Sequence, residues 1–113
     1  MESRLSRIIH DVDAGLAALE DAARRVEAEI RRAQGALDGL PSAQTDTGSR
    51  LVEQTRGGLG ALLDACESLA AALQDGNRAH CENARALARH GEAELRQVEE
   101  AASDAREDLP LIA

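Results

Sequence analysis

LSRIIHDVDAGLAALEDAARRVEAEIRRAQGALDGL, residues 5–40, places apolar side chains at Leu5, Ile9, Val12, Leu16, Leu19, Ala23, Val26, Ile30, Ala33, Leu37 and Leu40. The steps alternate four and three without a gap. That is a heptad seam sustained for about five repeats, the pattern of a helix that buries one stripe against another helix. Charged residues lie off the stripe, and Glu20 with Arg24 and Glu27 with Arg31 are favourable i,i+4 pairs. Ser3 is placed to cap the start. The spacing predicts one helix over 3–38, about 54 Å long at ~1.5 Å per residue.

Outward from this stretch, residues 39–48 read as a loop. Gly39 is expected to close the helix in the left-handed conformation, Pro41 prevents its continuation, and Asp46 or Thr47 is expected to cap the next helix. A second helical region runs over 49–108. Its first seam is Val52, Leu59, Leu62, Cys66, Leu69 and Leu73. Gly57, Gly58 and Gly60 interrupt it, each costing about 1 kcal/mol relative to Ala; they permit either a kink or the close approach of a neighbouring backbone. At Asp75-Gly76-Asn77 the seam changes phase and resumes as Asn77, His80, Ala84, Leu87, Gly91, Leu95, Val98, Ala102 and Ala105. Two readings stay open. Either residues 75–77 are a true turn that returns a third helix along the first two, or one helix of about 60 residues continues through a stutter, leaving more than roughly 30 Å of it without a partner. Residues 109–113 form a short apolar tail. The expected fold is therefore all-α, a single domain over 1–113: a long antiparallel helical hairpin or a three-helix bundle with coiled-coil-like seams.

Composition bounds the rest. The 113 residues include no Phe, Tyr or Trp, so the interior is built from small aliphatics, which fill a narrow helix–helix seam better than a thick core. All 13 basic residues are Arg, which excludes Schiff-base and P-loop lysine chemistry. The net charge of −8 opposes binding to nucleic acid or anionic membranes. Residues 1–50 carry 7 Arg against 9 acids and residues 51–113 carry 6 against 12, so the acidity concentrates toward Glu99, Glu100, Asp104, Glu107 and Asp108. No apolar run approaches the ~20 residues of a membrane span, and the start has no Sec-type apolar region. A cytoplasmic location, or export by a non-Sec route, is expected.

Cys66 and Cys81 fall out of register in either reading, so no disulfide is expected; Cys66 reads as a small buried hydrophobe. His10, His80 and His90 lack the three or four convergent ligands of a metal site. No nucleophile–base pair or cofactor fingerprint is present. Neither enzymatic activity, cofactor nor metal is expected.

Ala88-Arg89-His90-Gly91-Glu92-Ala93-Glu94-Leu95 is similar to the Ala-Tyr-x-x-Gly-Asp-x-Glu-Met-like stretch that ends the second helix in some divergent WXG-type helical hairpins of type VII secretion. The helix–loop–helix layout over residues 5–100 resembles that family as well. The chain lacks Trp-x-Gly and any Tyr. The resemblance implies a homo- or heterodimeric helix bundle with another helical protein or a second copy, and assigns His90, Gly91, Glu92 and Glu94 to an export-signal-like element. A type VII-associated substrate or partner is the leading expectation. An intracellular coiled-coil scaffold or self-assembling bundle, and an acidic regulator or immunity-type protein, are the alternatives.

Overall fold

The computed structural model describes residues 3–16, 18–42 and 45–108, with side chains as far as 104. Among them the chain forms four helices and no strand: α1 (Arg4–Asp13), α2 (Leu19–Asp38), α3 (Asp46–Asp75) and α4 (Arg78–Asp108). The all-α expectation holds. The tail 109–113 and the side chains of residues 105–108, Ala105, Glu107 and Asp108 among them, lie outside the described residues.

The helix expected over 3–38 is two helices. Gly15 adopts φ +71, a left-handed conformation that glycine enters without a Cβ penalty. Its N–H donates to the Val12 carbonyl and the Leu16 N–H to the Asp11 carbonyl, at 3.1 and 2.8 Å. This pair of bonds is a Schellman motif, which satisfies the last carbonyls of α1 and turns the chain out of the helix. The break then folds α1 back on α2, where Arg25 reaches Asp11 at 3.2 Å and Arg4 reaches Glu29 at 3.5 Å.

Residues 75–77 are a true turn. Gly76 is left-handed at φ +69, the Asp75 carboxylate accepts the Asn77 N–H, and the Asn77 side-chain oxygen accepts the Ala79 N–H to cap α4. α3 and α4 therefore make an antiparallel hairpin about 45 Å long at ~1.5 Å per residue, and the molecule measures 55 × 25 × 22 Å. The 30-residue α3 runs through Gly57, Gly58 and Gly60 as one element. Thr45, rather than Asp46 or Thr47, caps it by accepting the Gly48 N–H. Gly39 ends α2 at φ −87, so the left-handed closure expected there is absent. Ser3 caps α1 as expected, accepting the Ser6 N–H.

α2 lies antiparallel to α3. α1 runs antiparallel to α4, with Ser3 and Ser6 beside Glu92 and Asp13 beside Arg78 and Arg85. The four helices share one core of Leu5, Ile8, Ile9, Val26, Ala65, Cys66, Leu69, Ala72, Cys81, Ala84 and Ala88. Of the seam residues read from the sequence, Leu5, Ile9, Val26, Leu59, Cys66 and Leu69 are buried. Val12, Ile30, Leu62, Leu73 and Leu87 pack against the cluster, and Leu37, Leu95 and Val98 are half-buried. Burial of each large aliphatic contributes about 1.5–3 kcal/mol. Leu16 and Leu19 are corrections: they are 72% and 65% exposed, because the break at Gly15 carries them off the core.

Candidate functional site

The Schellman motif that ends α1 sends Leu16 into solvent, and α2 begins at Leu19 after Ala18, which offers no side-chain cap. Leu19 leads into an open apolar cleft of about 380 Å³ between α2 and α3. Ala23, Val26 and Ile30 form one wall and Ala70 and Leu73 the other, with Glu20, Glu27 and Gln74 also lining it. Around the Leu19–Leu73 ridge lies a second cleft of about 290 Å³, lined by Val12, Asp13, Ala72, Gly76, Asn77, Arg78 and Cys81. Leu16, Leu19 and Ala23 are therefore consecutive seam positions that α1 and α2 leave uncovered, and Leu19 and Ala23 line the apolar groove.

The electrostatics hold α1 at both ends. At its start the Ser3 and Ser6 hydroxyls donate to the Glu92 carboxylate, Ser6 at 2.7 Å. This places a negative charge at the positive end of the α1 dipole. At its end the two Asp13 oxygens are divided between Arg78 and Arg85, each at 3.2 Å. The Arg85 hydrogen bond, followed by that from Arg78, holds the Asp13 carboxyl below the usual carboxylate range against the opposing pull of desolvation.

The residues resembling an export signal have different surroundings. Gly91 is buried against α3, where a methyl group would stand 2.7 Å from the Gly58 carbonyl oxygen. Glu92 turns to α1. His90 is exposed and Glu94 half-buried. Both thiols are buried and free. Burial, then the charges of Glu29 and Glu67, pushes Cys66 up to about 11; burial, then Asp13, pushes Cys81 up as well. Protonated, enclosed thiols are poor nucleophiles and poor metal ligands. Among the described residues no three His, Cys, Asp or Glu side chains converge as a metal site, and no helix is long and apolar enough to cross a membrane.

Sequence reading missed three features: the α1–α2 break, the burial of Cys81 and Ala88 on the α4 seam, and the tethering of α1 through Glu92. The signal for the first was present in Ala14-Gly15-Leu16, a glycine at a left-handed closing position followed by an apolar residue. The second carries little signal, because Ala and Cys weigh lightly beside the neighbouring Leu87. The third is a contact across 86 or more residues of chain and has no local signature. Comparison of the chain with family models, with curated proteins and with solved structures finds no match in any of the three.

Proposed function

We propose that this chain is a non-enzymatic helical interaction protein that works through the apolar face formed by Leu16, Leu19, Ala23 and the α2–α3 cleft. The observation that carries the reading is the 65% exposure of Leu19 on the lining of a groove of about 380 Å³ with apolar walls, with Leu16, 72% exposed, three residues before it. Large aliphatics clustered in this way mark contact surfaces when they adjoin a groove, whereas single exposed ones carry no meaning. An amphipathic helix fits such a groove with side chains at i, i+3, i+4 and i+7. Glu20 borders the cleft beside Glu27, which is already paired with Arg31 at 2.9 Å, so a basic flank on the incoming helix complements Glu20.

The test is a photo-activatable side chain in place of Ala23. In cells of the source organism it is expected to cross-link one helical protein, and Leu19→Glu is expected to abolish the product while leaving helical content unchanged. A folded protein that gives no cross-link, or the same cross-links with Leu19→Glu, removes the reading.

A second reading, as a type VII-associated substrate, draws on exposed His90 with Glu94 one turn later. It requires the protein in the culture medium of a secretion-competent host and its loss when the secretion ATPase is inactivated. Retention in both hosts ends it.

A further inference from the structure

The seam that the structure breaks is in phase on both sides of the break. Leu5 and Ile9 of α1 are buried, and so are Val26 and Ala33 of α2; all four fit a single a/d register. The only members of that register exposed between them are Leu16, Leu19 and Ala23, which flank the turn. A hairpin connection gains nothing from keeping its two helices in one heptad register. A straight helix does.

Beyond the two backbone hydrogen bonds that close α1, little in the connection commits it to its bend. Gly15 is its left-handed residue, with nothing within 4 Å of where a Cβ would stand. Ala18 leaves the start of α2 without a side-chain cap. No proline lies between residues 14 and 18. α1 itself has 10 residues, and it is held by polar contacts at its ends and by Leu5, Ile8 and Ile9 between them.

We propose that two copies of this chain exchange α1: residues 4–38 straighten into one helix, and each α1 occupies the α1 site of the other copy. Direction makes this feasible. α1 runs toward the α3–α4 turn and α2 runs away from it, as the Ser6–Glu92 and Asp13–Arg78 contacts fix. Opening the hinge projects α1 beyond the turn end of the bundle. A second copy meeting it turn end to turn end offers its own vacated site in the same direction, so both polar tethers and the Leu5–Ile9 packing re-form between copies. Leu16 and Leu19 of the two copies then meet near the two-fold axis, where the straight helices cross. Exchange of an identical element costs little beyond the hinge, since each α1 enters a site identical to the one it left. The inference rests on the reading of Leu16 and Leu19 as a contact surface, and it names the second copy as the partner there.

Four substitutions test it by sedimentation and cross-linking. Gly15→Ala disfavours the left-handed turn and favours the straight helix, roughly tenfold per chain and so roughly a hundredfold in the dimerisation constant. Ala18→Pro matches the φ of −67 found at that residue and breaks a straight helix, so it is expected to stay monomeric. Chains carrying Ser6→Cys alone are then mixed with chains carrying Glu92→Cys alone. Disulfides between different chains are expected under refolding conditions, and their loss on adding Ala18→Pro. A folded Gly15→Ala that remains monomeric, or a dimer whose mixed chains do not cross-link, overturns the exchange. If the exchange fails in this way while the Ala23 probe still captures a different protein, the docking face stands and only its assignment to a second copy falls.

Discussion

A methyl group on Gly91 would stand 2.7 Å from the carbonyl oxygen of Gly58, closer than side-chain carbons approach backbone oxygens. The Leu62 side chain would press on the same methyl at 3.0 Å. α3 and α4 thus touch backbone to backbone at this level, and the hairpin is tight because both positions are glycine. Gly91→Ala gains about 1 kcal/mol of helix propensity but forces the helices apart, and overpacking of this kind costs about 1–3 kcal/mol. A net loss of up to about 2 kcal/mol is expected in urea melts. Gly57→Ala and Gly60→Ala meet nothing within 4 Å and are expected to stabilise by up to about 1 kcal/mol, raising Tm by about 4–6 °C.

Leu19 and Ile9 belong to the same heptad seam and differ in burial, 65% against 1% exposed. Leu19→Ser is expected to change stability by less than about 0.5 kcal/mol, as surface substitutions do. Ile9→Ala leaves a cavity between α1 and α3–α4 and is expected to cost about 2–5 kcal/mol. Chemical denaturation of the two variants measures the difference. Equal losses would place Leu19 in the core after all.

That contrast locates what the sequence makes legible. The α2 and α3 faces follow from periodicity, because Val26, Leu59, Cys66 and Leu69 are simply the apolar members of each stripe. The break at Gly15 does not follow. Both a straight helix and a turn satisfy the local pattern, and only the packing of Leu5, Ile8 and Ile9 onto α3 and α4 decides between them. The candidate site sits at the position where the two solutions differ. For that reason Leu16 and Leu19 read as core from the sequence and stand at the surface in the structure.

Asp13 links α1 to α4 through Arg78 and Arg85, and its folded carboxyl titrates below its unfolded value. A lowered carboxyl contributes stability that is present above the unfolded pKa of about 3.9 and is lost as pH falls through the folded value. Tm is therefore expected to drop as pH falls below about 4 more steeply in the parent chain than in Asp13→Asn. Asp75, lowered chiefly by the Asn77 N–H, adds to the same acid limb in both proteins, so the difference between the two curves isolates Asp13. Amide exchange in α1 at pH 6 is expected to be faster in Asp13→Asn, with α3 unchanged. Parallel pH curves for the two proteins would show that the arginines do not hold α1.

Cys66 titrates in the opposite sense. Burial raises its thiol from 9.0 to about 11, so the folded chain keeps a proton that the unfolded chain releases. The resulting stability is complete below about pH 9 and declines as pH rises toward about 11. Stability is thus expected to decline above pH 9, and Cys66→Ala, although less stable throughout because of the cavity it leaves, is expected to show a flatter decline. The same burial sets reactivity. A thiol reagent at pH 8 is expected to label neither Cys66 nor Cys81 in the folded protein and both in urea, with the slow native labelling following the rate or extent of unfolding. Rapid labelling of Cys81 alone, without loss of helix, would mean that the cleft between Val12 and Arg78 opens independently of the rest of the bundle. That outcome would place the weakest packing of the molecule beside the α1–α2 hinge.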